Sequence, residues 1–175
     1  MAERVVRHFQ EELEQLKNRL LEMGGLAEER VRTAVDGLVS RDLTLVQQVL
    51  QGDGPINQLH IEVDNRCFML LALHQPMAVD LRAIVSAVKI NTDLERVGDL
   101  AVNIAEAVTR YLEHPPVKEL IDIPRMARVA QTMLRDALDA FVRRDTALAE
   151  AVLNQDDELD GLKTQVFREL LTYML

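Results

Sequence analysis

The chain has 175 residues, 48% of them hydrophobic and only 3% aromatic, with no Trp, seven Gly and five Pro. A core of ordinary size must therefore be built from Leu, Val, Ile, Ala and Met, a mix that favours helices. The formal charge of -9, with no compensating basic patch, opposes a nucleic-acid surface. A single cysteine, Cys67, excludes an internal disulfide and a cysteine-based structural zinc site.

The first predicted element covers 5–39, where Val5, Phe9, Leu13, Leu16, Leu20, Met23, Leu26, Val31, Val35 and Leu38 recur at helical spacing without a proline. A bend is expected at Gly24 and Gly25. Asp42 then precedes LTLVQQVL as an N-cap, and Gly52-Asp53-Gly54-Pro55 predicts a kink or short break, because proline cannot donate the intrahelical bond. The pattern resumes through INQLHIEVDNRCFMLLAL and stops near His74-Gln75-Pro76. A long helix from about Val79 to Tyr111 follows, closed by Pro115 and Pro116, then helices over Ile123–Val142 and from Thr146 onward. No strand alternation is visible, and the fold class is all-α. The charged opening MAERVVRHFQEELEQL has no signal-peptide apolar stretch, and the longest apolar run, CFMLLAL, is too short to cross a bilayer. A cytosolic, soluble protein is expected.

The helices hide a repeat. VDGLVSRDLTLVQQVLQGDGPINQL at 35–59 aligns without gaps to LDAFVRRDTALAEAVLNQDDELDGL at 138–162, an offset of 103 residues. Arg41 and Asp42 fall on Arg144 and Asp145, Asp53 on Asp156, and Leu59 on Leu162. The repeat predicts a first bundle over 1–114 and a second, partial one over 115–175. A third helix of the second bundle would fall beyond Leu175, so two apolar faces are expected to need cover from elsewhere.

The stretch NTDLERVGDLAVNIAE at 91–106 places Glu95 and Asp99 one helical turn apart, a like-charge spacing that costs a few tenths of a kcal/mol. Asp156 and Asp160 are the only other acids four residues apart. With an apolar seam of Ala83, Ala87, Ile90, Leu94, Val97, Ala101 and Ile104, the pair faces outward or along a groove beside the next helix. Two carboxylates one turn apart can converge on one hard or borderline cation, or bridge two. The alternative is a solvated face with Arg96 and Lys89 supplying local ion pairs such as Lys89 to Asp93. Gly98, unfavourable in a helix interior, marks a position where a neighbour approaches closely or a permissive surface glycine. Asp53 and Asn57 share the spacing of Asp156 and Asp160, and serve either ligation or capping.

Catalytic constellations are missing: there is no Glu-x-x-His, HExxH, P-loop or GxSxG. His8, His60, His74 and His114 are scattered and read as surface or interface residues, and Cys67 as a core thiol.

The stretch Asn91 to Asp99, with Asn103-Ile-Ala-Glu106 after it, closely resembles the signature of the PhoU family of phosphate-signalling regulators. FQEELEQLKNRLLEMGGLAEERV, GDGPIN, HQPMAVDLR and LLTYML resemble the same family in the same order. The resemblance implies two tandem three-helix bundles, here without the second signature and the last helix. It implies surface metal sites, with Glu95 and Asp99 matching the motif and Asp53, Asn57, Asp156 and Asp160 matching acidic positions of the preceding helices. The metal would be divalent or ferric: iron, zinc, manganese or magnesium. It also implies a cytoplasmic homodimer, peripheral to membrane complexes, that links a phosphate ABC transporter ATPase to a sensor histidine kinase and represses phosphate-starvation signalling without being an enzyme. A metal-dependent hydrolase or phosphatase using the same carboxylates, and a metal-free structural helical dimer, are the alternatives.

Overall fold

The structure is a computed structural model that describes residues 2–52, 54–116 and 118–174, the side chains of 2–6 excepted. Among the described residues it contains six helices and no strand: α1 (Ala2–Ser40), α2 (Leu43–Gln51), α3 (Gly54–His74), α4 (Ala78–Leu112), α5 (Asp122–Arg143) and α6 (Thr146–Met174). The expected helix limits hold to within a residue or two, except that α1 begins earlier than its apolar spacing indicates. It continues through Gly24 and Gly25 without a break. The break before Pro55 is complete enough to separate α2 from α3. None of the helices is long and apolar enough to cross a membrane.

The chain packs as two compact units, residues 1–27 with 53–99 and residues 28–52 with 100–175. In the first, α1 presents Leu13, Leu16, Leu20 and Met23, α3 presents Ile56, Leu59, Val63, Cys67 and Leu70, and α4 presents Ile84, Ala87 and Leu94, all buried. Cys67 is a core thiol as expected, and burial pushes its pKa up to about 12. In the second, Ala34 of α1, Val46 and Val49 of α2, and Ala101, Ala105 and Val108 of α4 form one cluster. There α5 packs on α6, and Leu138, Ala140 and Leu162 are buried.

The repeat survives at the level of single backbone bonds. Arg41 and Arg144 both adopt a left-handed conformation, at φ 55° and 56°. The amide of Asp42 donates to the carbonyl of Gly37 at 3.0 Å, and that of Asp145 to Ala140 at 2.9 Å, the same offset of 103 residues. Both aspartates then cap the following helix, Asp42 accepting from the Thr44 amide at 2.7 Å and Asp145 from the Leu148 amide at 3.0 Å. The copies part where Pro55 interrupts the first. Glu158 stands at the equivalent place, and α6 runs on unbroken. Further along, Leu170 and Tyr173 of α6 are exposed, whereas their counterparts Cys67 and Leu70 are buried.

Two predictions arise from this turn. A Cβ on Gly37 would lie 2.9 Å from Cγ2 of the fully buried Val46 and 3.3 Å from the Asp42 carbonyl oxygen. Val is stiff at χ1 and the carbonyl is backbone, so neither can yield cheaply. Gly37→Ala should lose about 1–3 kcal/mol in denaturant unfolding despite the better helix propensity of Ala. The Thr44 amide also holds the Asp42 carboxyl below its ordinary value of 3.8. A depressed folded-state pKa contributes stability above the unfolded value, lost as pH falls through the folded one. The melting temperatures of wild type and Asp42→Ala should therefore differ at neutral pH and converge at pH values below the ordinary carboxylate range.

Candidate functional site

The motif at 91–99 has an inner and an outer face, both within the first unit. On the inner face Asn91 is fully buried, and its Nδ2 donates to the His60 carbonyl and to Oδ1 of Asp64 on α3, each at 3.0 Å. Leu94 is buried beside it, and Gly98 is also buried. A Cβ on Gly98 would meet Cδ1 of Ile56 at 3.1 Å. The close neighbour expected at this glycine is therefore Ile56 in the first turn of α3, and it sets that turn against α4 at the level of the acid pair. The buried line runs through Ile84, Ala87, Asn91, Leu94, Gly98 and Ala101. Ala83, Ile90 and Val97, which apolar spacing assigns to the seam, are only half-buried. The reason is physical: α4 buries a polar Asn and a Gly that an apolar count passes over.

On the outer face Glu95 is half-buried and Asp99 exposed, one turn apart, with Asn57 of α3 exposed one residue beyond Ile56. Of the two cations expected to supply local ion pairs, Arg96 does so, its Nη1 standing 3.5 Å from Asp93, in place of the particular pair of Lys89 with Asp93. Asp53 lies outside the described residues. Asp156 and Asp160 are exposed on α6, Asp160 standing 3.6 Å from Lys163. The geometry thus brings Glu95 and Asp99 together with the start of α3. Among the described residues no group of three or more His, Cys, Asp or Glu side chains is set to hold a metal. Two carboxylates suffice only for an ion that keeps most of its waters, as magnesium does.

Two of the long-range polar links that the sequence reading misses are the Asn91 bridge and the contact of His74 with Glu12. The Asn91 bridge could have been found from spacing, since Asn91 falls between Ala87 and Leu94 on the helical repeat. The His74 to Glu12 link joins residues 62 apart and left no local signal.

An all-α chain with an outward acid pair on its long fourth helix is the class these features define. Residues 20–108 and 123–175 match the model of the PhoU domain, and the chain belongs to the PhoU family. A phosphate-specific transport system accessory protein PhoU homolog from Aquifex aeolicus (strain VF5) is 39% identical over 164 residues, covering 94% of this chain and 74% of that protein. One from Caulobacter vibrioides (strain NA1000 / CB15N) is 41% identical over 176 residues, covering 100% and 76%. Among solved structures, PhoU from Pseudomonas aeruginosa superposes with a TM-score of 0.88 at 40% identity, covering 95% of this chain and 80% of that one.

Proposed function

We propose that this chain regulates phosphate uptake and represses phosphate-starvation signalling, as a metal-binding, non-enzymatic adaptor between a phosphate ABC transporter ATPase and a sensor histidine kinase. The relatives' names, accessory proteins of phosphate-specific transport, support the transport role. One structural observation carries the choice of surface: Glu95 and Asp99 stand outward on α4 while Asn91 and Gly98, in the same motif, lock its other face to α3. The motif is thereby a rigid mount for two carboxylates. A divalent or ferric ion held by Glu95 and Asp99 would neutralise like charges that otherwise repel an acidic partner, with Asp53 and Asn57, and separately Asp156 and Asp160, as the further candidate ligands. The working form in this reading is a cytoplasmic homodimer, with residues 1–114 as one complete bundle and 115–175 as a partial second.

The test is binding of the purified chain to the transporter's ATPase. Glu95→Ala with Asp99→Ala should weaken the complex at least tenfold while leaving the circular dichroism spectrum unchanged. Equal binding by the variant would remove the pair from the contact surface.

A further inference from the structure

The end of the first unit where α3 turns into α4 is apolar on its outside. Within the first unit α3 and α4 run antiparallel, Ile56 meeting Gly98 and His60 meeting Asn91, so the residues flanking the three-residue connection 75–77 share one end of it. Phe68 and Leu73 near the end of α3, Met77 in the connection, and Val79, Leu81 and Val85 near the start of α4 are 41–80% exposed. Together they leave about 700 Å² in water, more than the roughly 300–600 Å² of the largest apolar patch on an ordinary monomer. That area falls within the roughly 600–1,000 Å² that each partner contributes to a stable interface. Gln75 and Ala78, left-handed at φ 47° and 46°, bracket Met77, the most exposed of the six. Such conformations are disfavoured for residues with a Cβ and persist where their surroundings hold them. From Cys67 to Val79 the chain carries no Asp, Glu, Lys or Arg, although 28% of its residues are charged. Asp80 and Arg82, of opposite sign, stand at the edge of that run.

We propose that this end of the unit is the contact surface between two copies of the chain, related by a two-fold axis near Met77. The proposal rests on the homodimer reading above and gives that dimer its surface. In a two-fold contact each residue at the axis meets its own copy, so a charged centre would set like charges face to face. An uncharged centre with both signs at its rim avoids this, because Asp80 of one copy can face Arg82 of the other. The same pattern disfavours a strongly charged partner, which would find no opposite charge at the centre. The net charge of -9 disfavours an anionic bilayer.

The test is sedimentation equilibrium of the full chain, for wild type, Met77→Glu, Phe68→Glu and, as a control of similar exposure in the second unit, Leu153→Glu. Wild type should be a dimer whose association weakens at least tenfold in Met77→Glu and Phe68→Glu and changes less than threefold in Leu153→Glu. Met77 and Phe68 are exposed, so both variants should keep the circular dichroism spectrum of wild type. A dimer as strong in Met77→Glu as in wild type, or weakened equally by Leu153→Glu, would overturn the surface and leave the homodimer reading standing. A monomeric wild type would overturn both, and its co-sedimentation with phosphatidylglycerol vesicles would assign the patch to a membrane instead.

Discussion

Asn91→Asp is expected to be the most damaging single-atom-scale change in this chain, costing on the order of 3–5 kcal/mol at neutral pH, the range for an uncompensated buried charge. The side chain is fully buried, and its amide nitrogen serves two acceptors on α3, the His60 carbonyl and the Asp64 carboxylate. The new carboxyl would turn that donor into an acceptor facing two acceptors, one of them negative. Such a carboxyl titrates above its unfolded-state value, so its penalty grows as pH rises past the ordinary carboxylate range and shrinks below it. Asn91→Ala, which loses the bonds and opens a small cavity without adding charge, should cost less, about 2–4 kcal/mol, with little pH dependence of its own. In a chain of this size each kcal/mol lowers the melting temperature by about 2–4 °C. Melts of the three proteins across pH check the order. A variant Asn91→Asp as stable as wild type at neutral pH would mean that Asn91 is not the buried bridge between α3 and α4.

Gly98→Leu carries the second large effect. With Ile56 Cδ1 3.1 Å from the position of a first side-chain carbon, and Ile56 itself 1% exposed, a leucine has no volume to enter. Overpacking of this kind costs about 1–3 kcal/mol, only partly offset by the ~1 kcal/mol by which glycine is unfavourable in a helix interior. Ile56→Ala alone should cost about 2–5 kcal/mol through its cavity. Because the two changes act on one contact, the double variant should be more stable than the sum of the single losses implies, by about 0.5 kcal/mol or more. Additive losses in denaturant unfolding would show that the two residues do not meet.

Much of the fold is legible in the residues because its signals are local. Asp42, Pro55, Pro76 and Pro115 punctuate the helices, and apolar spacing fills the spans between them. The repeat is legible too, since an Arg-Asp turn needs one left-handed residue and one N-cap, and both recur at 144–145. The acid pair follows from its spacing, and Gly98 does mark a close neighbour. Apolar spacing misplaces the seam of α4 at Ala83, Ile90 and Val97 because helix packing there rests on Asn91 and Gly98, residues that hydrophobic counting leaves out. The identity of the neighbour, Ile56, and the meeting of His74 with Glu12 depend on chain segments more than 40 residues apart, and no short-range pattern encodes them.

If Glu95 and Asp99 mark the working surface of this chain, they hold a cation that offsets their mutual repulsion. Elemental analysis of protein purified without chelator or affinity metal, for wild type beside Glu95→Ala with Asp99→Ala, tests this directly. The expected result is metal in the wild type that is lost in the double variant. Equal metal content in wild type and the acid-pair variant, or none in either, would contradict it and leave the pair as a solvated acidic face.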